Sequence, residues 1–240
     1  MLMPLALVAC VDTGDEGMFI LNNTAVSDTC SLSGSPDQPF ISHGTIYFGS
    51  SVPYQLTPLV QSRLTASQAG GDDASRTIQF RGANVTLTLK AMSVEDSAGN
   101  ITTTQSNKEL GQFSSLFAGA LPPGGSVNVG VDIVPPETMR SLAQMSGADL
   151  TTGGFKAEVV AEVVILGDIN GKSITSSPYV YPVTVCDDCV AVNVGACPLP
   201  MGTTVRTGNA CNPFQDGIVD CCSDANGGLV CPAVVSTTSM

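Results

Sequence analysis

Residues 155–185 read FKAEVVAEVVILGDINGKSITSSPYVYPVTV, and this stretch decides the fold. Its first arm, Phe155–Leu166, carries Val159, Val160, Val163, Val164, Ile165 and Leu166. Glu158 and Glu162 lie four apart, as on a helix face, but so many β-branched side chains lose rotamer freedom in a helix and favour a strand. Asp168-Ile169-Asn170-Gly171 then offers a turn with the Asn-Gly preference for positive φ. Lys172–Val185 returns with Tyr179, Tyr181, Val183 and Val185 on one face. A β-hairpin is expected.

Upstream, Val85, Leu87 and Leu89 alternate with Asn84, Thr86, Thr88 and Lys90, the period of a half-buried strand. Asp96-Ser97-Ala98-Gly99-Asn100 turns the chain, and Ile101–Gln105 returns as a Thr-rich strand. After the Pro122-Pro123-Gly124-Gly125 break, Val127, Val129, Val131 and Ile133 alternate again. Pro135-Pro136-Glu137 opens a helix with Met139, Leu142 and Ala143 on one face, and Gly147 ends it. Nearer the start, Met18–Leu21 reads as a short strand and Asn22–Pro39 as loop. Thr45–Phe48 and Gln55–Leu64 are apolar pieces separated by Gly49-Ser50-Ser51, and Pro53 and Pro58 place the second at an edge or in irregular chain. Ala66–Ser75, with Gly70-Gly71-Asp72-Asp73, reads as loop. Roughly seven to nine strands with regular turns point to an all-β, immunoglobulin-like β-sandwich with one short helix.

The 240 residues give room for one sizeable domain and an appendage. Abundant Gly and Pro fit many turns, and only 12% of residues are charged, too few for a solvated disordered chain. The net charge of −12 makes nucleic acid and anionic membrane surfaces poor partners.

From Cys186 the composition changes. Cys186, Cys189, Cys197, Cys211, Cys221, Cys222 and Cys231 crowd a segment with few apolar runs, which needs cross-links to fold. Residues 186–240 are therefore expected to form a small disulfide-rich C-terminal tail. Cys186-Asp187-Asp188-Cys189 also has the spacing of a redox dithiol, but two enclosed carboxylates raise thiol pKa values and disfavour the thiolate. The same spacing suits a zinc knuckle, yet no second such pair and no nearby His completes a site. Vicinal Cys221-Cys222 suits two bridges leaving in opposite directions.

At the start of the chain, Leu7-Val8-Ala9-Cys10 resembles the bacterial lipobox: an aliphatic residue, a tolerant position, a small residue and a cysteine. The resemblance implies a signal segment over 1–9, cleavage before Cys10, and lipidation of Cys10 as membrane anchor, with 10–39 as tether and loop. Val11 is not the aspartate associated with inner-membrane retention, which makes the outer membrane the expected address. Downstream of Cys10 the chain would lie where thiols oxidise. Eight cysteines then remain, seven of them in the tail, so full pairing needs Cys30 to reach one of the seven. Eight cysteines permit 105 connectivities. The β-sandwich is assigned to 40–185.

Catalytic chemistry is poorly supplied. There is no Trp, and His43 is the single imidazole, in Ser42-His43-Gly44, which matches no nucleophile motif. Asp72-Asp73, Glu95-Asp96 and Asp187-Asp188 fall in expected turns, where acids are solvated or cap backbone amides. Asp216, Asp220 and Asp224, spaced by four, could take calcium but lack the EF-hand pattern. The Gly pairs lack phosphate-loop spacing, and the sequons at Asn22, Asn84 and Asn100 have no use in a bacterium. The expectation is a non-enzymatic, cofactor-free structural, adhesive or binding module of the envelope. Its partners would be the membrane through the N-terminal lipid, surface proteins, or copies of itself through exposed strand edges. A hydrolase using His43 or an acid pair is the first alternative. A glycan-binding module using Tyr47, Tyr54, Tyr179 and Tyr181 as stacking faces is the second.

Overall fold

A computed structural model describes residues 17–65, 76–147, 154–187 and 189–236. The lipobox with Cys10, the loop expected over Ala66–Ser75, and Asp188 lie outside the described residues. In chain order the strands of the body are β1 (Met18–Asn23), β2 (Gly44–Tyr47), β3 (Tyr54–Leu56), β4 (Pro58–Ser62), β5 (Ile78–Glu95), β6 (Ile101–Ser115), β7 (Gly119–Leu121), β8 (Ser126–Asn128) and β9 (Val131–Val134). Helix α1 (Pro136–Ser146) follows, then β10 (Phe155–Ile169), β11 (Lys172–Thr175) and β12 (Tyr179–Cys186). The tail holds β13 (Ala191–Ala196), β14 (Val219–Ser223) and β15 (Leu229–Val230).

The hairpin that the valine-rich stretch predicts lies at the centre of the largest sheet. β10 pairs antiparallel with β12 on one side and with β5 on the other. The sheet runs β2-β12-β10-β5-β6, with β11 beside the end of β10 and β7 beside the start of β5. Asn170 and Gly171 both have positive φ, 50° and 75°, as a two-residue hairpin turn of this hand requires. The expected single return strand is divided at Ser176, whose Oγ accepts the Ile165 N–H at 2.9 Å. Strand alternation explains the burial. Ala157, Val159, Ala161, Val163 and Ile165 are buried, while Glu158, Val160 and Glu162 between them face outward. Val85, Leu87 and Leu89 of β5 join the same inner face.

A second layer covers that face. It consists of a three-stranded sheet, β1-β4-β8, and a two-stranded sheet, β3-β9. Met18, Ile20, Tyr54, Leu56, Val60, Val131 and Ile133 reach one continuous core with the large sheet. Among the described residues the chain thus forms the expected all-β sandwich with one short helix. α1 starts at Pro136, buries Met139, Leu142 and Ala143, and ends at Gly147 with φ 62°, where a Cβ would be strained.

Three expectations need correction. Residues 10–39 are not all tether and loop, because β1 is a core strand and the folded body begins before residue 40. Gln55–Leu64 is not edge or irregular throughout: Gln55 and Leu56 end β3, which pairs only with β9, but β4 is the middle strand of its sheet. Pro58 is its first residue, where the missing N–H interrupts nothing, and its carbonyl accepts Val129 N–H at 3.2 Å. The alternating run Val127–Ile133 is two strands, not one. β8 pairs β4 and β9 pairs β3, so two neighbouring antiparallel segments pass from one small sheet to the other at the same level, near Thr57 and Gly130.

The tail forms its own sheet, β13-β14-β15. The four disulfides are Cys30–Cys211, Cys186–Cys189, Cys197–Cys222 and Cys221–Cys231. Cys30 pairs into the tail, and adjacent Cys221 and Cys222 on β14 send their bridges to opposite faces, as strand geometry dictates. The tail also covers the outer edge of β2: Tyr47 N–H donates to Phe214 O at 3.0 Å, and Ile46 bridges Gln215.

Candidate functional site

The seam between tail and sandwich holds a buried chain of polar side chains. Asn23 Nδ2 donates to Tyr181 Oη at 2.9 Å, and the Tyr54 and Tyr181 hydroxyls lie 3.0 Å apart. Tyr54 Oη donates to Asp216 Oδ2 at 2.7 Å, so the proton between the two phenols belongs to Tyr181. Asp216 Oδ1 accepts Thr45 N–H at 2.7 Å and Oδ2 also accepts Gln215 Nε2 at 3.2 Å. Gln215 in turn pairs both main-chain groups of Gln55, at 2.9 and 2.8 Å. The members come from β1, β3, β12 and the tail, which supplies both Gln215 and Asp216. Burial raises the pKa of Asp216, against the lowering effect of its hydrogen-bond donors and of nearby His43. Burial, and then Asp216, push Tyr54 far above the ordinary phenol value. A phenol held this firmly protonated donates to Asp216 while its oxygen accepts from Tyr181, and it does not release its proton. The network is a fastening.

A pocket of about 420 Å³ opens beside this seam, between Ala25–Asp28 and the tail residues Thr207–Ala210. Asp216 and Gly217 form part of its wall. The Asp216 carboxylate is already occupied by Thr45, Tyr54 and Gln215, and offers the pocket little.

His43 Nε2 lies 3.6 Å from Glu158 Oε2 and is also joined to that carboxylate through Thr184. The Thr184 hydroxyl donates to the Glu158 carboxylate at 2.9–3.0 Å, so His43 Nε2, 2.6 Å from Thr184 Oγ1, carries the hydrogen of that contact. A nucleophile requires the opposite polarity, with the imidazole accepting from the hydroxyl. Thr184 is also buried. The expected acid groups are separated as well. Asp220 on β14 accepts Arg206 Nε and Nη2, which hold its pKa below the ordinary value. Asp224 caps its own turn, accepting from Asn226 and Gly228 N–H at 2.8 Å each. Asp96 does the same for Ala98 and Asn100. Asp216, Asp220 and Asp224 therefore do three unrelated jobs and form no calcium cage. Among the described residues no group of His, Cys, Asp and Glu is arranged to hold a metal. Tyr54 and Tyr181 lie in the core and show no stacking face to solvent, and Tyr47 and Tyr179 are half-buried. Buried Asn23 and the Arg206–Asp220 pair were not legible beforehand, because neither has a local sequence signal.

Among the described residues, one strand edge open to a partner is the outer edge of β6. β6 pairs with β5 on one side and ends the large sheet on the other. Its register with β5 slips twice: Leu110 is an extra residue between Gly111 and Glu109, and another lies between Lys108 and Gln105. Such bulges twist an edge and discourage pairing. Ile101–Gln105 is the regular stretch beyond them, exposed along its length, with Ile101 at 68% of its possible surface. Ser93 Oγ and Thr103 Oγ1 lie 2.8 Å apart across the hairpin, and Lys90 Nζ donates to Asn107 Oδ1 at 3.0 Å.

No family model matches the chain, and no curated protein matches it. Among solved structures, a crystal structure of a protein from Archaeoglobus fulgidus is similar over 57% of this chain and 86% of its own, at 8% identity and a TM-score of 0.32. A solution structure from Arabidopsis thaliana is similar over 66% of this chain and 94% of its own, at 11% identity and a TM-score of 0.33. A sporulation control protein from Bacillus subtilis is similar over 60% and 50% respectively, at 11% identity and a TM-score of 0.25.

Proposed function

We propose that this protein is a non-enzymatic, lipid-anchored, exported module of the bacterial cell envelope, with a structural or adhesive role. The observation that carries this reading is the set of four disulfides, one of which ties Cys30 at the front of the body to Cys211 in the tail. Such a framework belongs to a compartment that oxidises thiols, since cytosolic glutathione and thioredoxin keep them reduced. The lipobox-like Leu7-Val8-Ala9-Cys10 supplies the means of attachment, as two or more acyl chains hold a protein firmly to a bilayer. The opposite polarity at His43 and Thr184, and the fastened carboxylate of Asp216, support a binding role over hydrolysis. Its partners are surface or envelope proteins, including further copies of the chain.

The test is the intact mass of protein isolated from its own cells after fractionation. The reading expects a membrane-fraction chain that begins at Cys10 and carries acyl mass, and expects Cys10→Ala to lose that mass. An unacylated chain beginning at Met1 in the cytoplasmic fraction would contradict it.

A further inference from the structure

We infer that Ile101–Gln105 is a self-association edge, to which a second copy of this chain adds its own Ile101–Gln105 antiparallel, about a two-fold axis at Thr103. The inference rests on the envelope-module reading and names the partner of that module's open edge. The two ends of the large sheet differ. At β2 the tail supplies the hydrogen bonds that the outer edge would otherwise offer. At β6 the edge is exposed, and the two bulges spoil it only below Gln105. Natural edges are guarded by Lys, Pro or inward charges, and Ile101–Gln105 contains none.

Charge chooses the occupant and its direction. The hairpin tip carries Glu95 and Asp96, the pairing stretch is neutral, and the bulged base carries Lys90 and Lys108, which leave it net positive despite Glu109. An antiparallel copy sets the acidic tip of each chain beside the basic base of the other. A parallel copy would stack like on like. The neutral stretch is also where a chain of net charge −12 repels its own copy least. With the axis at Thr103, Thr103 faces Thr103, Thr102 faces Thr104 and Ile101 faces Gln105 of the second copy. Thr–Thr pairs are favourable across strands, and exposed Ile101 gains cover. The result is one sheet continuous through two molecules.

The experiment is sedimentation velocity of the acylated full chain in detergent over a concentration series, with hydrogen exchange of the 101–105 amides on the same samples. A dimer is expected, with those amides slowing as concentration rises. Thr103→Lys sets two ammonium groups across the axis, and raises the dissociation constant about tenfold without changing the fold, since the residue is exposed. Glu95→Lys and Lys108→Glu each weaken the dimer, and the double swap restores it. A monomer at every concentration, or a dimer indifferent to Thr103→Lys and to the single charge reversals, overturns the inference. A monomer that still carries acyl mass at Cys10 sinks only the edge. A dimer without acyl mass sinks only the envelope reading.

Discussion

Asp216 and Asp220 stand four residues apart in the tail, and their surroundings drive them in opposite directions. Burial raises Asp216, so its ionised form is disfavoured in the folded state. Its contribution is fully present below the unfolded value of about 3.8 and is lost as pH rises through the folded pKa. Asp216→Asn should therefore flatten the fall in stability over the pH range just above 4, as read by urea unfolding at several pH values. Arg206 lowers Asp220, whose contribution is present above its unfolded value and lost as pH falls through the folded one. Asp220→Asn should remove that acid limb. Tyr54→Phe deletes the link between Asp216 and Tyr181 and leaves two buried groups short of a partner, a loss of about 1–3 kcal/mol. An unchanged midpoint would mean that water replaces the hydroxyl.

Among the elements, β5 and β10 bear the core while β6 is polar and open. Leu87→Ala, at the centre of β5, should cost about 2–5 kcal/mol in denaturant unfolding, whereas substitutions at exposed Thr103 should stay within about 0.5 kcal/mol. These elements were legible because one face of each strand is buried, and alternation records that directly. The turn at Asn170-Gly171 and the helix from Pro136 to Gly147 were legible because positive φ and a fixed proline φ are properties of single residues. The passage of β3 into β4 and of β8 into β9 was hidden, since the apolar alternation runs through the crossing and only the hydrogen-bond partners change. The demotion of β4 failed for a related reason: a proline's cost depends on its place in the strand, and Pro58 stands at the end. The Asp216 network was illegible because Asn23, Tyr54 and Tyr181 are far apart in sequence and meet only through the sandwich.

At the scale of the whole molecule, the disulfides form a hierarchy. Cys30–Cys211 closes a loop with a sequence separation of 181, which in the chain-entropy account contributes about 5 kcal/mol, against about 2 kcal/mol for Cys186–Cys189 with a separation of 3. The double variant Cys30→Ser/Cys211→Ser should accordingly lower the thermal midpoint much more than Cys186→Ser/Cys189→Ser. Equal losses would mean that native contacts along the seam, rather than chain entropy, hold the tail in place. The need for Cys30 to reach the tail was visible from the parity of the cysteines once Cys10 is set aside, but its choice of Cys211 was not, because spacing carries no direction. The central claim is that this chain matures where thiols oxidise and that its tail is fastened by covalent bonds. Alkylation of thiols in freshly lysed native cells, followed by peptide mapping without reduction, tests it most directly. The account predicts no alkylated cysteine among the eight downstream of Cys10, and linked peptides pairing Cys30 with Cys211, Cys186 with Cys189, Cys197 with Cys222 and Cys221 with Cys231. Free, alkylated thiols at those positions would contradict it, and would return the chain to a reducing compartment.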